Sequence, residues 1–467
     1  MLGDDVLFLP ITELAVRIKA GKLSPVELTQ SYLERSRTIG PRLNAYVTLT
    51  EKLALDQARA AEKEIAAGKY RGPLHGIPYA AKDLLAVKGY PTTWGARPFA
   101  NQQFDYDATV IRKLNAAGAV LIGKAAMIEL AGGMGYRYAS ASATSAAKNP
   151  WNTNCWTCGS SSGSGAIIAA GLAAFALGTE TWGSIICPSG FTGTTGLRPT
   201  YGRVSRYGAM ALAYSMDKIG PMCRTAEDCD LVLQTIAGHD PQDLGSLPEE
   251  QAHYTGAGEI SGRLRLGWMA NQWKKIDPDV QQAAIAARKV LESEPSVSVI
   301  NVALPEGPWE TAAGIVVSVE GASAFRSLIE SGGVAELNDP LGKIGGYMNE
   351  EISASDFVLA QRIRSILQKS MDAVFAQVDV LVAASLPVTA TTLDANLDDA
   401  LSFADPIGGI GNFCGLPAIS VPCGFGHKGT PVGLQFVGRP LADDKLVQVA
   451  RLFQSRTNWH SQHPKLT

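Results

Sequence analysis

Residues 158–188 read CGSSSGSGAIIAAGLAAFALGTETWGSIICP. Three consecutive serines, Ser160, Ser161 and Ser162, precede the apolar run Ala166–Leu177. A Gly-rich turn follows, carrying Thr181, Trp182, Gly183 and Ser184. The apolar run is far shorter than the roughly 20 residues needed to cross a bilayer, so it predicts a buried helix. On the plainest reading one serine before it is an N-cap, because a Ser hydroxyl accepts the free N–H groups of a first turn. Ser184 would then be a turn serine.

Working outward, a second informative block lies upstream. Residues 72–89 read GPLHGIPYAAKDLLAVKG, a short apolar segment bounded by Gly and Pro, as a strand entering a loop is. Lys82 sits within it among Ile77, Ala80, Ala81 and Leu84. Residues 108–127, ATVIRKLNAAGAVLIGKAAM, predict a helix followed by the strand AVLIGK. Nearer the N-terminus, Ser24-Pro25-Val26-Glu27 forms a capping box with Pro at the first helical position. A second helix runs from Glu51 to a closing Gly68. Beyond residue 240, RLRLGWM, SVSVINVAL and DVLVAAS read as strands, and AISVPCGFGHKGTPVGLQFVG as a hairpin. Asp277-Pro278 opens a helix. WETAAGIVVSVEGASAFRSLIES, SDFVLAQRIRSILQKSMDAVFAQV and DDKLVQVARLFQSR read as three more. Helix and strand alternate, which predicts an α/β fold. No internal repeat or linker is evident, so one domain over 1–467 is expected.

Composition narrows the function classes. Of 467 residues, 46% are hydrophobic and 18% charged, as in a globular chain. A net charge of −3 shows no basic nucleic-acid footprint. Seven scattered cysteines, an odd number, fit reduced thiols in a cytoplasmic setting. Cys155 and Cys158 form a C-x-x-C, but no second pair or suitable His accompanies it, so no metal is expected. The N-terminus begins with acids and lacks the basic region of a secretory signal.

The chemistry must be sought without histidine. None of the six histidines lies in a zinc motif, no G-x-S-x-G elbow has suitable residues around it, and no P-loop is present. A serine hydroxyl needs a neighbouring base to become a nucleophile. A lysine can serve if burial strips its charge, since its free pKa is roughly 10.4. The apolar neighbours of Lys82 suit that role. Backbone N–H groups of a Gly-rich turn can supply an oxyanion hole.

These blocks together resemble the amidase signature family. The lysine block, the Gly/Ser block over 159–205, MDKIGPMCRTAEDC, and the paired segments CGLPAISVPCGF and PVGLQFVGRP all carry the likeness. It extends over nearly the whole chain and is weakest from about 240 to 380. The resemblance implies a large central mixed β-sheet flanked by helices on both faces. It divides the chain into N-terminal helices (1–70), a catalytic core (71–235), a variable substrate-pocket region (236–400) and a C-terminal return to the core (401–467). It implies Lys82 as base, Ser160 as proton relay with a cis peptide bond, and Ser184 as nucleophile. The family's serines lie 24 positions apart, as Ser160 and Ser184 do. Backbone N–H groups of Thr181, Trp182, Gly183 and Ser184 would form the oxyanion hole. Ser161 would be a supporting hydrogen-bonder.

Two departures from the family bear on the substrate. Trp182 stands where a glycine is common, so either an ordinary backbone conformation is adopted with the indole lining the acyl pocket, or the indole packs outward. Ile186 and Cys187 stand where members often carry an Arg that meets a substrate carboxylate. Their presence favours a neutral, rather apolar substrate. Ser162 and Cys158 also replace common glycines. Trp182, Ile186, Cys187, Gly133 and Met134 are the candidate substrate contacts, with further walls from 300–400 and from the loop FADPIGGIGNFCG.

The expected function is therefore hydrolysis of an amide, aryl acylamide or carbamate through an acyl-enzyme. The alternatives are the amidotransferase A-type component of a tRNA-dependent complex, and a non-catalytic binding protein. No cofactor is implied. The expected partner is a small-molecule amide or carbamate, with no nucleic acid and no membrane, on a monomer or homodimer.

Overall fold

The computed structural model describes residues 1–269, 276–402 and 405–466. Thirteen strands are present among them: β1 (Tyr46–Leu49), β2 (Pro78–Lys82), β3 (Val120–Ala125), β4 (Lys148–Asn149), β5 (Asn152–Trp156), β6 (Phe175–Glu180), β7 (Thr195–Arg198), β8 (Lys218–Cys223), β9 (Leu264–Met269), β10 (Val297–Val302), β11 (Val380–Ala384), β12 (Ala418–Phe425) and β13 (Pro431–Gly438). Eleven form one mixed sheet, in the order β1-β3-β2-β6-β8-β7-β12-β13-β11-β9-β10. β4 and β5 make a separate two-stranded ribbon. β2 runs parallel to both β3 and β6, whereas β8 is antiparallel to β6 and β7. Helices flank the sheet, as the resemblance implied.

The local signals upstream act as read. Ser24 accepts the N–H of Glu27 at 3.1 Å and Pro25 opens the helix Pro25–Leu43. The strand readings at 264, 297 and 380 are met by β9, β10 and β11, and the hairpin by β12 and β13. Three readings need correction. The stretch from Trp309 is not one helix: Trp309–Ala324 ends at Phe325, which has φ −107° and ψ 19°, and Arg326–Glu330 follows. The segment FADPIGGIGNFCG, read as a loop, is helical over Pro406–Phe413, with Asp405 Oδ1 accepting the N–H of Gly408 at 3.0 Å. Phe403 and Ala404 of that segment lie outside the described residues.

The largest correction falls on the apolar run. Only Ser162–Ala169 is helical, and Phe175–Glu180 is β6. Gly171 turns the chain between them at φ +65°, and a side chain there would strike the Phe8 ring at 2.7 Å. A strand in mid-sheet is covered on both faces, so it shows continuous apolar sequence instead of alternation. All six β6 residues are buried. Burial on every side made helix and strand look alike in sequence.

This arrangement places the Gly/Ser block beside the lysine block. β2 and β6 are parallel neighbours, so Lys82, last in β2, and Glu180, last in β6, emerge at the same edge of the sheet. The serine-led helix Ser162–Ala169 packs against β6 and β2. Its N-terminus brings Ser160 and Ser161 to that edge.

Candidate active site

Lys82 is wholly buried. Its Nζ lies 2.7 Å from Ser160 Oγ, 3.0 Å from Ser161 Oγ and 2.9 Å from Thr179 Oγ1. Burial pushes the amine down to about 7, although the carboxylates of Asp217 and Glu180 pull the other way. A lysine at that value is part neutral near pH 7 and able to accept a proton.

The two serines differ in how they are held. Ser161 Oγ donates to the Thr179 carbonyl at 3.2 Å and accepts the Thr179 N–H at 3.2 Å, besides meeting Lys82. Its capacity is used up locally, so it holds structure. Ser160 Oγ meets only Lys82 among the described residues, which leaves it a free site for a second hydroxyl. The Gly159–Ser160 peptide bond is cis. Ser161 N–H donates to the Ser184 carbonyl at 3.3 Å, tying the two serine segments together. Cys158, which replaces a common glycine, takes φ +64°, and Ser162 is the first helical residue.

Residues 181–184 form the turn leaving β6. Gly183 has φ +82°, while Trp182 is absent from the residues of positive φ, so the indole is carried on ordinary backbone. Among the described residues, the N–H groups of Thr181 to Ser184 donate to no protein acceptor, whereas those of Ile185 and Ile186 both donate to Glu180 Oε2, at 2.8 and 2.9 Å. The turn is thus gathered around one carboxylate. Glu180 in turn meets Arg198 Nη1 at 2.5 Å, with both side chains buried. Burial alone would raise the Glu180 carboxyl. Arg198 and the Ile186 N–H outweigh it and hold the group at about 2. Asp217 Oδ1 meets Thr181 Oγ1 at 2.5 Å.

Sequence reasoning missed Thr179, Glu180, Arg198 and Asp217 as parts of the site. Glu180 stood inside the quoted turn. Nothing in sequence spacing pointed to Arg198 or Asp217, which arrive from β7 and from beside β8.

The candidate substrate contacts separate. Ile186 is 2% exposed and packs in a core cluster with Met216, Ile407 and Ile410. Met134 is buried as well, and Gly133 packs close to Phe325 and Leu212. Cys187 and Trp182 are half-buried. The Trp182 indole N–H donates to Asp405 Oδ2 at 2.9 Å. A cavity of about 390 Å³ reaches Thr179, the hydrogen-bond partner of Lys82, and is lined among others by Leu84, Thr181, Met210 and Asp217, but not by Lys82, Ser160 or Ser184. None of the five candidate contacts lines it. All seven cysteines are unpaired. No helix among the described residues is long and apolar enough to cross a membrane.

A buried lysine, the serines Ser160 and Ser161, and a turn with open N–H groups thus meet at one edge of a mixed sheet. The Amidase family model matches residues 27–447, and the chain belongs to that family, whose members are enzymes acting on C–N bonds. Over 98% of its length it is 37% identical to the A component of the Glutamyl-tRNA(Gln) amidotransferase of Chloroflexus aurantiacus, covering 98% of that protein. It also superposes on the native peptide amidase of Stenotrophomonas maltophilia, with a TM-score of 0.80, 29% identity and coverage of 96% and 97%. For the A component of the Glutamyl-tRNA(Gln) amidotransferase of Thermotoga maritima the TM-score is 0.79 and the identity 27%, each chain being covered fully.

These relatives overturn the expected partners. A monomer or homodimer remote from nucleic acid does not fit relatives that are subunits of an enzyme named for a tRNA.

Proposed function

We propose that the chain cleaves the C–N bond of a carboxamide through an acyl-enzyme on Ser184. The observation that carries this is the buried Lys82 within 2.7 Å of Ser160, its amine brought to about 7. Neutral Lys82 takes the Ser160 proton as Ser160 takes that of Ser184, whose oxygen attacks the carbonyl carbon. The N–H groups of Thr181 to Ser184 stabilise the oxyanion. Collapse breaks the C–N bond, and the proton returns along the same path to the leaving nitrogen. Water then releases the acid by the reverse sequence.

The setting best supported is that of the amide-cleaving chain in an amidotransferase-type assembly. Full-length identity of 37% to the A component of such an enzyme favours it. Nitrogen freed at Ser184 would then pass to an acceptor held with partner chains, a charged tRNA being the class that the relatives' names carry. A second reading, hydrolysis of a neutral apolar amide or carbamate, is favoured by Ile186 and Cys187 standing where an Arg is common.

The test compares wild type with Ser184→Ala on glutamine, on anilides and on aryl carbamates. Loss of turnover by at least about a thousandfold is expected, as for removal of an activated nucleophile. Equal rates would sink the reading. Ammonia release from glutamine that rises on adding partner chains supports the assembly setting, while undiminished anilide turnover by the isolated chain supports the second.

A further inference from the structure

The side chains of Thr181 and Trp182 leave the turn in different directions. Thr181 Oγ1 goes to Asp217 and lines the 390 Å³ cavity on the lysine side. Trp182 takes no part in that cavity. Its indole N–H reaches Asp405 Oδ2 at 2.9 Å, and the other oxygen of that carboxylate caps the helix Pro406–Phe413 at the Gly408 N–H. The ring also lies against this helix. A side chain added at Gly409 would meet Trp182 Cζ2 at 3.2 Å and Glu310 Cγ at 2.9 Å. The Asp405 N–H donates to the carboxylate of Glu310, at the start of the helix Trp309–Ala324. The indole therefore bridges the Ser184 turn to two helices from distant parts of the chain.

This bridge has consequences for the substrate, on the reading that Ser184 is the nucleophile. The leaving nitrogen must receive its proton from Ser160, so it lies on the side of Lys82, Thr179 and Thr181. The acyl group extends the other way, where Trp182 stands. Ile186 cannot yield space there, being packed in the core. An indole held by a hydrogen bond and by ring packing cannot swing aside without losing both.

We propose that Trp182 is the specificity-determining residue of the acyl side: latched by Asp405 against Gly409, its indole closes the space that a glycine would leave beside Ser184 and restricts the acyl group to short chains. Asp405 acts through Trp182 as a positioning residue.

The test uses alkyl fluorophosphonates from ethyl to octyl, whose alkyl group occupies the acyl side, with labelling of Ser184 followed by intact mass. Wild type should react faster with the ethyl than with the octyl probe. In Trp182→Ala the octyl-to-ethyl ratio of second-order rates should rise by at least about tenfold, the low end of what one methylene commands in an apolar pocket. Trp182→Phe, which keeps a ring but loses the N–H, should lie between. An unchanged ratio in Trp182→Ala, with both rates lowered together, would overturn the proposal and leave Ser184 chemistry standing. Failure of every probe to label wild type would instead remove the nucleophile assignment and this proposal with it.

Discussion

Arg198 and Glu180 form an ion pair buried behind the Ser184 turn, the guanidinium 1% and the carboxylate 0% exposed. The carboxylate spends one oxygen on Arg198 and the other on the N–H groups of Ile185 and Ile186. It thereby couples the sheet, through β7, to the conformation of the candidate nucleophile's turn. Arg198 is held from behind by the Leu416 carbonyl at 3.0 Å.

Removing one charge leaves the other buried without compensation. Glu180→Gln should cost about 3–5 kcal/mol of stability, the range for breaking a buried pair, as read by urea unfolding. Glu180 also has a pKa of about 2, depressed below its unfolded value of 4.5. Its contribution is present above pH 4.5 and is lost as pH falls through 2. An acid titration of wild type should show a stability loss in that window that Glu180→Gln lacks.

Under the proposed mechanism Lys82 sets the rate–pH profile. Its pKa is lowered from 10.5 to about 7 by burial, and only the neutral form accepts a proton. Activity should therefore rise through an ascending limb centred near 7 and fall on acidification. The same shift makes stability rise with pH between 7 and 10.5, because over that interval the unfolded chain binds the proton that the folded chain has shed. A rate that stays flat on acidification well below 7 would contradict the assignment of Lys82 as base.

Ser160 and Ser161 should respond differently to alanine. Ser160→Ala interrupts the path to Lys82 and should lower kcat by about 10²–10⁴, the scale of general-base loss, with little change in stability. Ser161→Ala leaves the buried Thr179 N–H without its acceptor and should cost about 1–3 kcal/mol, with a smaller fall in kcat. Paired measurements of kcat and unfolding free energy separate the two.

Thr181→Val keeps the Thr181 N–H but cuts the hydroxyl from Asp217. We expect a loss of about 1.5–3 kcal/mol for a bond to a charged group. The drop in kcat should be about tenfold, short of the 10²–10³ that follows outright loss of an oxyanion donor. Burst-phase acylation of Ser184 would read the second effect directly.

Legibility was uneven for physical reasons. The cap at Ser24, the hairpin β12–β13 and strands β9, β10 and β11 were readable because each is encoded by neighbours in sequence. The apolar run 166–177 was not, since burial on all sides erases the periodicity that tells helix from strand. The placement of Ile186 was also hidden: an isoleucine beside a candidate nucleophile suits a pocket wall or a core equally well. Only the packing of Met216, Ile407 and Ile410 around it decides for the core.

Taken alone, the order of residues determined which groups could do chemistry: one lysine in an apolar strand, two serines 24 positions apart, and a turn able to offer N–H donors. These follow from residue type and local spacing. Tertiary structure decided what those groups are worth. It buried Lys82 deeply enough to bring its amine to about 7, brought Arg198 from β7 to anchor Glu180, and turned the Trp182 indole toward Asp405. Each depends on desolvation or contact between segments far apart in the chain, which no local pattern records.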